Sequence, residues 1–180
     1  RVSTDLALFY NDYDRLRAFD FGFTPVPPTA TFTANNAMDG HAYGGELSLN
    51  WQPVDWWRWQ ASYTLLQMHL RNGVVLPDAT FSYRAADNPQ QQFQLRSSID
   101  LPKGFEFDTM LYHQDSLPGQ GIPAYTRLDF RLGWKYRDQF EASVTLQNAL
   151  DPKHAEYGNN SLVRASEIQR ALYGKLTWRC

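Results

Sequence analysis

The charged residues of this chain fall at even spacings: Arg127, Asp129, Arg131 and Lys135 on one run, Glu106 and Asp108 on another. Successive side chains of a strand point to opposite faces, so residues of one parity share a side. The six are therefore expected to project together, lining a solute path or holding an internal domain. Wet ion pairs carry little energy and mark no chemistry by themselves, and the set contains no nucleophile with its base. A second group lies where alternation lapses. Phe81, Tyr83 and Arg84 occupy one such stretch; His154, Tyr157, Asn159 and Asn160 occupy another. Loops on a rigid scaffold usually carry binding, and aromatic with cationic groups suit an anionic or catecholate ligand. Tyr83, Arg84, His154 and Tyr157 are the loop residues assigned to ligand contact.

Other chemistries find no residues. His41, His69, His113 and His154 are each more than twenty residues apart and have no i, i+4 or alternate-position partner, so no metal site is expected. Asp5, Asp12, Asp14 and Asp20 lack the compact loop that calcium needs. No phosphate loop, nucleophile elbow or HExxH run occurs. Ser62 and His113 are not placed to meet, which counts against a barrel acylase or phospholipase. The chain reads as a non-enzyme without a cofactor. A formal charge of -2 with no Lys/Arg cluster argues against a nucleic-acid partner.

The elements that carry these residues follow from period-2 patterning. From Ala124 to Gln147, Leu128, Phe130, Leu132, Trp134 and Tyr136 oppose the charged set; after a short turn Phe140, Ala142, Val144 and Leu146 oppose Glu141, Ser143, Thr145 and Gln147. The same template gives eight segments: about Val2 to Arg17, Tyr43 to Gln52, Trp57 to Met68, Gln91 to Leu101, Phe105 to His113, Tyr125 to Tyr136, Phe140 to Asn148 and Ile168 to Arg179. Connections alternate between tight (Pro53 to Trp56, Pro102 to Gly104, Arg137 to Gln139) and long (Asp20 to Ala42, His69 to Gln90, Gln114 to Ala124, Asp151 to Glu167). Short turns at one rim and long loops at the other are the habit of all-β, antiparallel transmembrane barrels, with the short turns periplasmic.

The tryptophans separate lipid from a soluble core. Trp51, Trp56, Trp57, Trp59, Trp134 and Trp178, all six of the chain, fall at the short-turn rim or beside the C-terminus. Tyr10, Tyr13, Tyr43, Tyr112, Tyr125 and Tyr173 lie nearer the long-loop rim. Two aromatic belts match two membrane interfaces. A mean hydropathy of -0.53 is no objection, since a barrel strand needs only alternate apolar residues. Cys180 is the single cysteine and forms no internal disulfide. The chain starts at Arg1, already inside an alternating strand, and is expected to be a piece of a longer polypeptide.

Tyr125-Thr-Arg-Leu-Asp-Phe-Arg-Leu-Gly-Trp134, then Glu141-Ala-Ser-Val-Thr-Leu-Gln-Asn-Ala-Leu-Asp151 with His154 and Glu156, resembles the end of the barrel of TonB-dependent outer-membrane receptors. So do Tyr173-Gly-Lys-Leu-Thr-Trp-Arg179, Phe9-Tyr-Asn-Asp-Tyr-Asp-Arg-Leu16, Tyr43-Gly-Gly-Glu-Leu47 and Gln94-Leu-Arg-Ser-Ser-Ile-Asp-Leu-Pro102, in the family's order. The resemblance implies a barrel of about 22 strands plugged by an N-terminal domain, of which these eight strands would be the last third. It implies uptake of a scarce nutrient such as a ferric siderophore, driven through TonB, in the outer membrane of a Gram-negative bacterium. Neither plug nor TonB-contacting segment is expected within these residues. Implied partners are outer-membrane lipid and lipopolysaccharide, TonB through the plug-bearing part, and the barrel assembly machinery. That machinery reads a terminal aromatic in the family; Trp178 keeps the alternation, whereas position 180 is Cys. The alternative is a self-contained eight-stranded barrel serving as anchor, adhesin or small pore.

Overall fold

In a computed structural model the described residues are 1–72, 87–137, 139–158 and 165–179. Eight strands form one antiparallel sheet: β1 (Val2–Pro25), β2 (Pro28–Val54), β3 (Trp57–Asn72), β4 (Gln91–Leu101), β5 (Phe105–Gln114), β6 (Tyr125–Tyr136), β7 (Phe140–Gln147) and β10 (Ala171–Trp178). They pair in that order, with β1 and β10 as its two open edges. A small second sheet joins β8 (Lys153–Tyr157) to β9 (Ser166–Gln169). No helix among the described residues is long and apolar enough to cross a membrane; strands cross instead.

Register assigns the faces. Trp134 pairs with Phe105 and Ala142, Leu132 with Phe107 and Val144, Phe130 with Thr109 and Leu146. The apolar parity of every strand therefore meets apolar parity next door. Leu6, Leu8, Leu172 and Leu176 are 64–76% exposed, and the buried hydrophobic residues among those described are only Ala18, Met38, Ala42, Leu117 and Ile122. A soluble sandwich would bury this face beneath a second sheet. Here no described element covers it, as lipid requires.

Two tight turns use the left-handed region. Lys103 (φ 64°) and Gly104 (φ 80°) make the β4–β5 turn, and Arg137 (φ 51°) opens the β6–β7 turn. Gly104 also has no room for a Cβ, which would run into the carbonyl oxygen of Lys135.

The structure departs from the sequence reading in two connections. The stretch Asp20 to Ala42, expected as a loop, is almost wholly paired: β1 and β2 zip in register as far as Pro25 opposite Pro28, interrupted only near Tyr13, Leu16 and Ala18. Its Phe- and Thr-rich sequence favours strand, and the bulges absorb the lapse in alternation that reads as loop. The thirteen residues from Tyr13 to Pro25 extend the hairpin by about 40 Å. Likewise, Ile168 lies in β9 rather than at the start of the last sheet strand, because Arg170 breaks the run before Ala171.

Candidate functional site

Arg127, Asp129, Arg131 and Lys135 share the face opposite Trp134, and Glu106 and Asp108 sit on the same face of β5. The side is concave and divides into two tiers. The lower, toward the short turns, encloses about 590 Å³ lined by Arg58, Arg96, Asp100, Glu106, Asp108, Arg131 and Lys135 among others. Arg131 is its hub, donating to Glu106 (3.0 Å), Asp108 (2.9 Å) and Glu141 (3.1 Å). Lys135 donates to the other oxygen of Glu106, Arg96 and Ser98 reach Asp108 at 3.3 and 2.6 Å, and Arg58 forms a two-pronged pair with Asp100.

Gly133 makes this arrangement possible. It is the inward residue between Arg131 and Lys135, and a Cβ there would lie 2.8 Å from the Arg131 guanidinium. Without that side chain the guanidinium folds over the strand and reaches carboxylates on both neighbours.

The upper tier is built differently. A recess of about 420 Å³ is lined by Gln94, Met110, Tyr112, Gln114, Tyr125, Arg127, Asp129 and Glu156. Arg127 donates Nε and Nη2 to Asp129 at 3.0 and 2.6 Å, and its Nη1 lies 3.9 Å from Glu156. Asp129 also accepts the Asn148 backbone N–H at 2.9 Å. Asn148 is fully buried in a left-handed conformation (φ 55°), and its amide donates to the Ile168 carbonyl at 3.3 Å. Thus the end of β7, the β8–β9 hairpin and the Arg127–Asp129 pair are tied together. The Tyr112 hydroxyl donates to Gln114 at 2.8 Å, and the Tyr112 and Tyr125 rings stand 5.9 Å apart.

The assigned loop residues separate. His154 is buried, stacked on Tyr125 with centroids 4.2 Å apart, and Nε2 is 3.5 Å from Glu156; it backs the recess from behind Tyr125. Tyr157 is half-buried at the end of β8. Tyr83 and Arg84, like Phe81, Asn159, Asn160 and Cys180, lie outside the described residues.

Two expectations need correction. Tyr13, Tyr112, Tyr125 and Tyr173 do not belong to an outer aromatic belt: register puts them on the face opposite the apolar one, with Gly40, Arg127 and Thr145. Proximity to a rim fixes height; parity fixes face. His41 and His69 do have a partner, each other, since they are opposed across β2 and β3 with rings 5.0 Å apart and Tyr43 stacked beside them. Sequence separation does not limit cross-strand pairing. Among the described residues no three His, Cys, Asp or Glu side chains form a metal-ligand group. Ser62 faces inward and His113 outward.

Trp51, Trp57, Trp59, Trp134 and Trp178 all project from the apolar face near the short turns, and Trp56 stands in the β2–β3 turn, stacked with Trp57. Trp57 satisfies its indole N–H on Ser97 at 2.9 Å. Trp134 contacts Phe105, Tyr136 and Phe140, a second aromatic cluster on the same rim.

Sequence reasoning missed Arg58, Arg96 and Asp100 in the lower tier, and Gln94, Tyr112, Gln114 and Asn148 in the upper. Applying the parity rule strand by strand would have found all but Asn148, which ends its strand.

An apolar convex face, an aromatic rim and a charged concave face define a segment of wall from a transmembrane β-barrel. The family model for the β-barrel of TonB-dependent receptor-like proteins matches residues 1–149, and the chain belongs to that family. The family is one of transport receptors of the Gram-negative outer membrane. Among solved structures, the chain is similar to the pyoverdine outer membrane receptor FpvA from Pseudomonas aeruginosa PAO1 bound to pyoverdine (18% identity, TM-score 0.72, 100% of this chain and 27% of that one). It is similar to the ferric yersiniabactin uptake receptor FyuA from Yersinia pestis (20%, 0.69, 96% and 26%) and to the copper transporter OprC (12%, 0.66, 98% and 29%). It spans about a quarter of the length of these proteins. No curated protein matches it in sequence.

Proposed function

We propose that this chain is the C-terminal portion of the barrel of an outer-membrane receptor that imports a scarce nutrient, a ferric siderophore, by TonB-dependent transport. The observation that carries the reading is the family match over residues 1–149, made by a sheet whose faces are sorted for lipid and lumen. Likeness to receptors named for pyoverdine and ferric yersiniabactin supports an iron chelate as cargo. The upper recess is the chain's share of the binding chamber, and the lower charge network is the surface against which a plug domain would sit. TonB would act through that plug. The tryptophan rim anchors the wall at the periplasmic interface, and the assembly machinery and lipopolysaccharide are its membrane partners. β1 and β10 must pair with the rest of the barrel, because unpaired edge groups in lipid cost several kcal/mol each.

The test is genetic and direct. Deleting the gene for the whole receptor should abolish growth on one class of ferric siderophore under iron limitation, and deleting TonB should do the same. Unchanged growth and uptake with every ferric chelate would reject the siderophore cargo.

A further inference from the structure

The charge of the upper recess points to a class of cargo, an inference that rests on the receptor reading above. We propose that this wall receives a net-neutral ligand rich in hydroxyl and amide-type oxygens, and discriminates against polyanions.

A wall that captures a polyanion needs cations with uncommitted N–H donors. Among the described residues the recess has one cation, Arg127, and two of its three nitrogens are taken: Nε and Nη2 are donated to Asp129. Its remaining nitrogen faces Glu156 at 3.9 Å. One guanidinium against two carboxylates, Asp129 and Glu156, leaves the lining at a net charge of -1. Displacing Asp129 to free Arg127 would also strand the Asn148 N–H, which Asp129 accepts at 2.9 Å. A bound polyanion would therefore meet an acidic lining with no free counter-charge.

What the recess does offer is neutral. Tyr112 spends its proton on Gln114 at 2.8 Å and faces the Tyr125 hydroxyl, which leaves the Gln114 NH₂ to meet a ligand's acceptors. Gln94 adds a second amide, and the tilted Tyr112 and Tyr125 rings add an aromatic surface. Amides beside aromatic faces bind neutral polar ligands: a ferric tris-hydroxamate among iron chelates, an uncharged oligosaccharide among carbohydrates. The shared chemistry is neutral oxygen-rich surface.

The experiment uses the full-length receptor, purified in detergent, and reads affinity by quenching of tryptophan fluorescence. A net-neutral ferric tris-hydroxamate should bind at least about tenfold more tightly than a trianionic ferric tris-catecholate. Glu156→Gln should narrow that ratio several-fold by improving catecholate binding more than hydroxamate binding. A catecholate bound as tightly or more tightly overturns the proposal, as does a ratio that Glu156→Gln leaves unmoved. If neither chelate binds, the siderophore cargo fails separately, and a neutral linear oligosaccharide is compared with its carboxylated counterpart. Preference for the neutral sugar then upholds the inference, and binding of no neutral ligand in either pair overturns it.

Discussion

The two tiers of the concave face hold similar residues to opposite ends. In the lower tier the charges around β6 are shared: Arg131 serves Glu106, Asp108 and Glu141, while Lys135 serves Glu106 again. In the upper tier Arg127 is held by Asp129, with Glu156 at 3.9 Å, and phenols and amides take most of the remaining surface. The first is a lattice that fixes three strands, β5, β6 and β7, to one another. The second leaves hydrogen-bonding groups for something else. Substitutions in the lower tier should move stability more than ligand affinity, and those in the upper tier the reverse.

The largest effect should come from Arg131→Ala. Glu106, Asp108 and Glu141 are about three-quarters or more buried and would lose a common counter-ion. Removing one partner of a buried charge cluster costs about 3 kcal/mol. Urea-induced unfolding of the full receptor in detergent should show that loss, with ligand affinity changed less than about threefold. An unchanged midpoint would mean that water already screens the lattice, and the tiers would then not differ in kind.

Tyr125→Ala tests the other side of the contrast. It removes one aromatic wall of the recess and the ring on which His154 stacks. Ligand affinity should fall about tenfold, equivalent to about 1.4 kcal/mol, while the unfolding midpoint moves by less than Arg131→Ala moves it. Next comes Asn148. Its backbone N–H holds Asp129 whatever its side chain, so Asn148→Ala chiefly places a Cβ at φ 55° and should cost about 1 kcal/mol. Asn148→Gly should cost less, since glycine adopts that conformation freely. A reversed order in thermal unfolding would show that the amide bond to Ile168 outweighs the backbone conformation.

The two tiers were unequally legible in the sequence. Parity along β5 and β6 gave the faces of Arg127, Asp129, Arg131, Lys135, Glu106 and Asp108, because alternation in a strand is a local property. Which charges meet is not local. Arg131 reaches Glu141 across Gly133, where a Cβ would press on its guanidinium, and Arg58 finds Asp100 through the β3–β4 register, which no single strand reveals. His154 shows the same limit: its sequence context is that of an open loop, yet a hairpin between β7 and β10 lays it on Tyr125. The β1–β2 arm failed for a different reason. Bulges at Tyr13 to Ala18 shift the parity, and a period-2 template ends where the phase slips.

The smallest effect should belong to Arg58, and it marks where the lower lattice ends. Its pair with Asp100 has the best geometry in the tier, two donated hydrogen bonds at 2.5 and 2.8 Å, yet both side chains are nearly half exposed, at 45% and 44%. Solvent screens such a pair, and holding two long side chains in register costs entropy. Arg58→Met keeps the aliphatic stem and should lower stability by no more than about 0.5 kcal/mol. Raising the salt should erase even that difference, because exposed charges are screened over about 10 Å at 0.1 M ionic strength, whereas the cost of Arg131→Ala should persist in salt. Unfolding midpoints of both variants at low and high salt decide the point. Equal salt sensitivity would make the tier one uniform solvated surface, and a persistent Arg58 effect would extend the buried lattice across β3 and β4 to the short-turn rim.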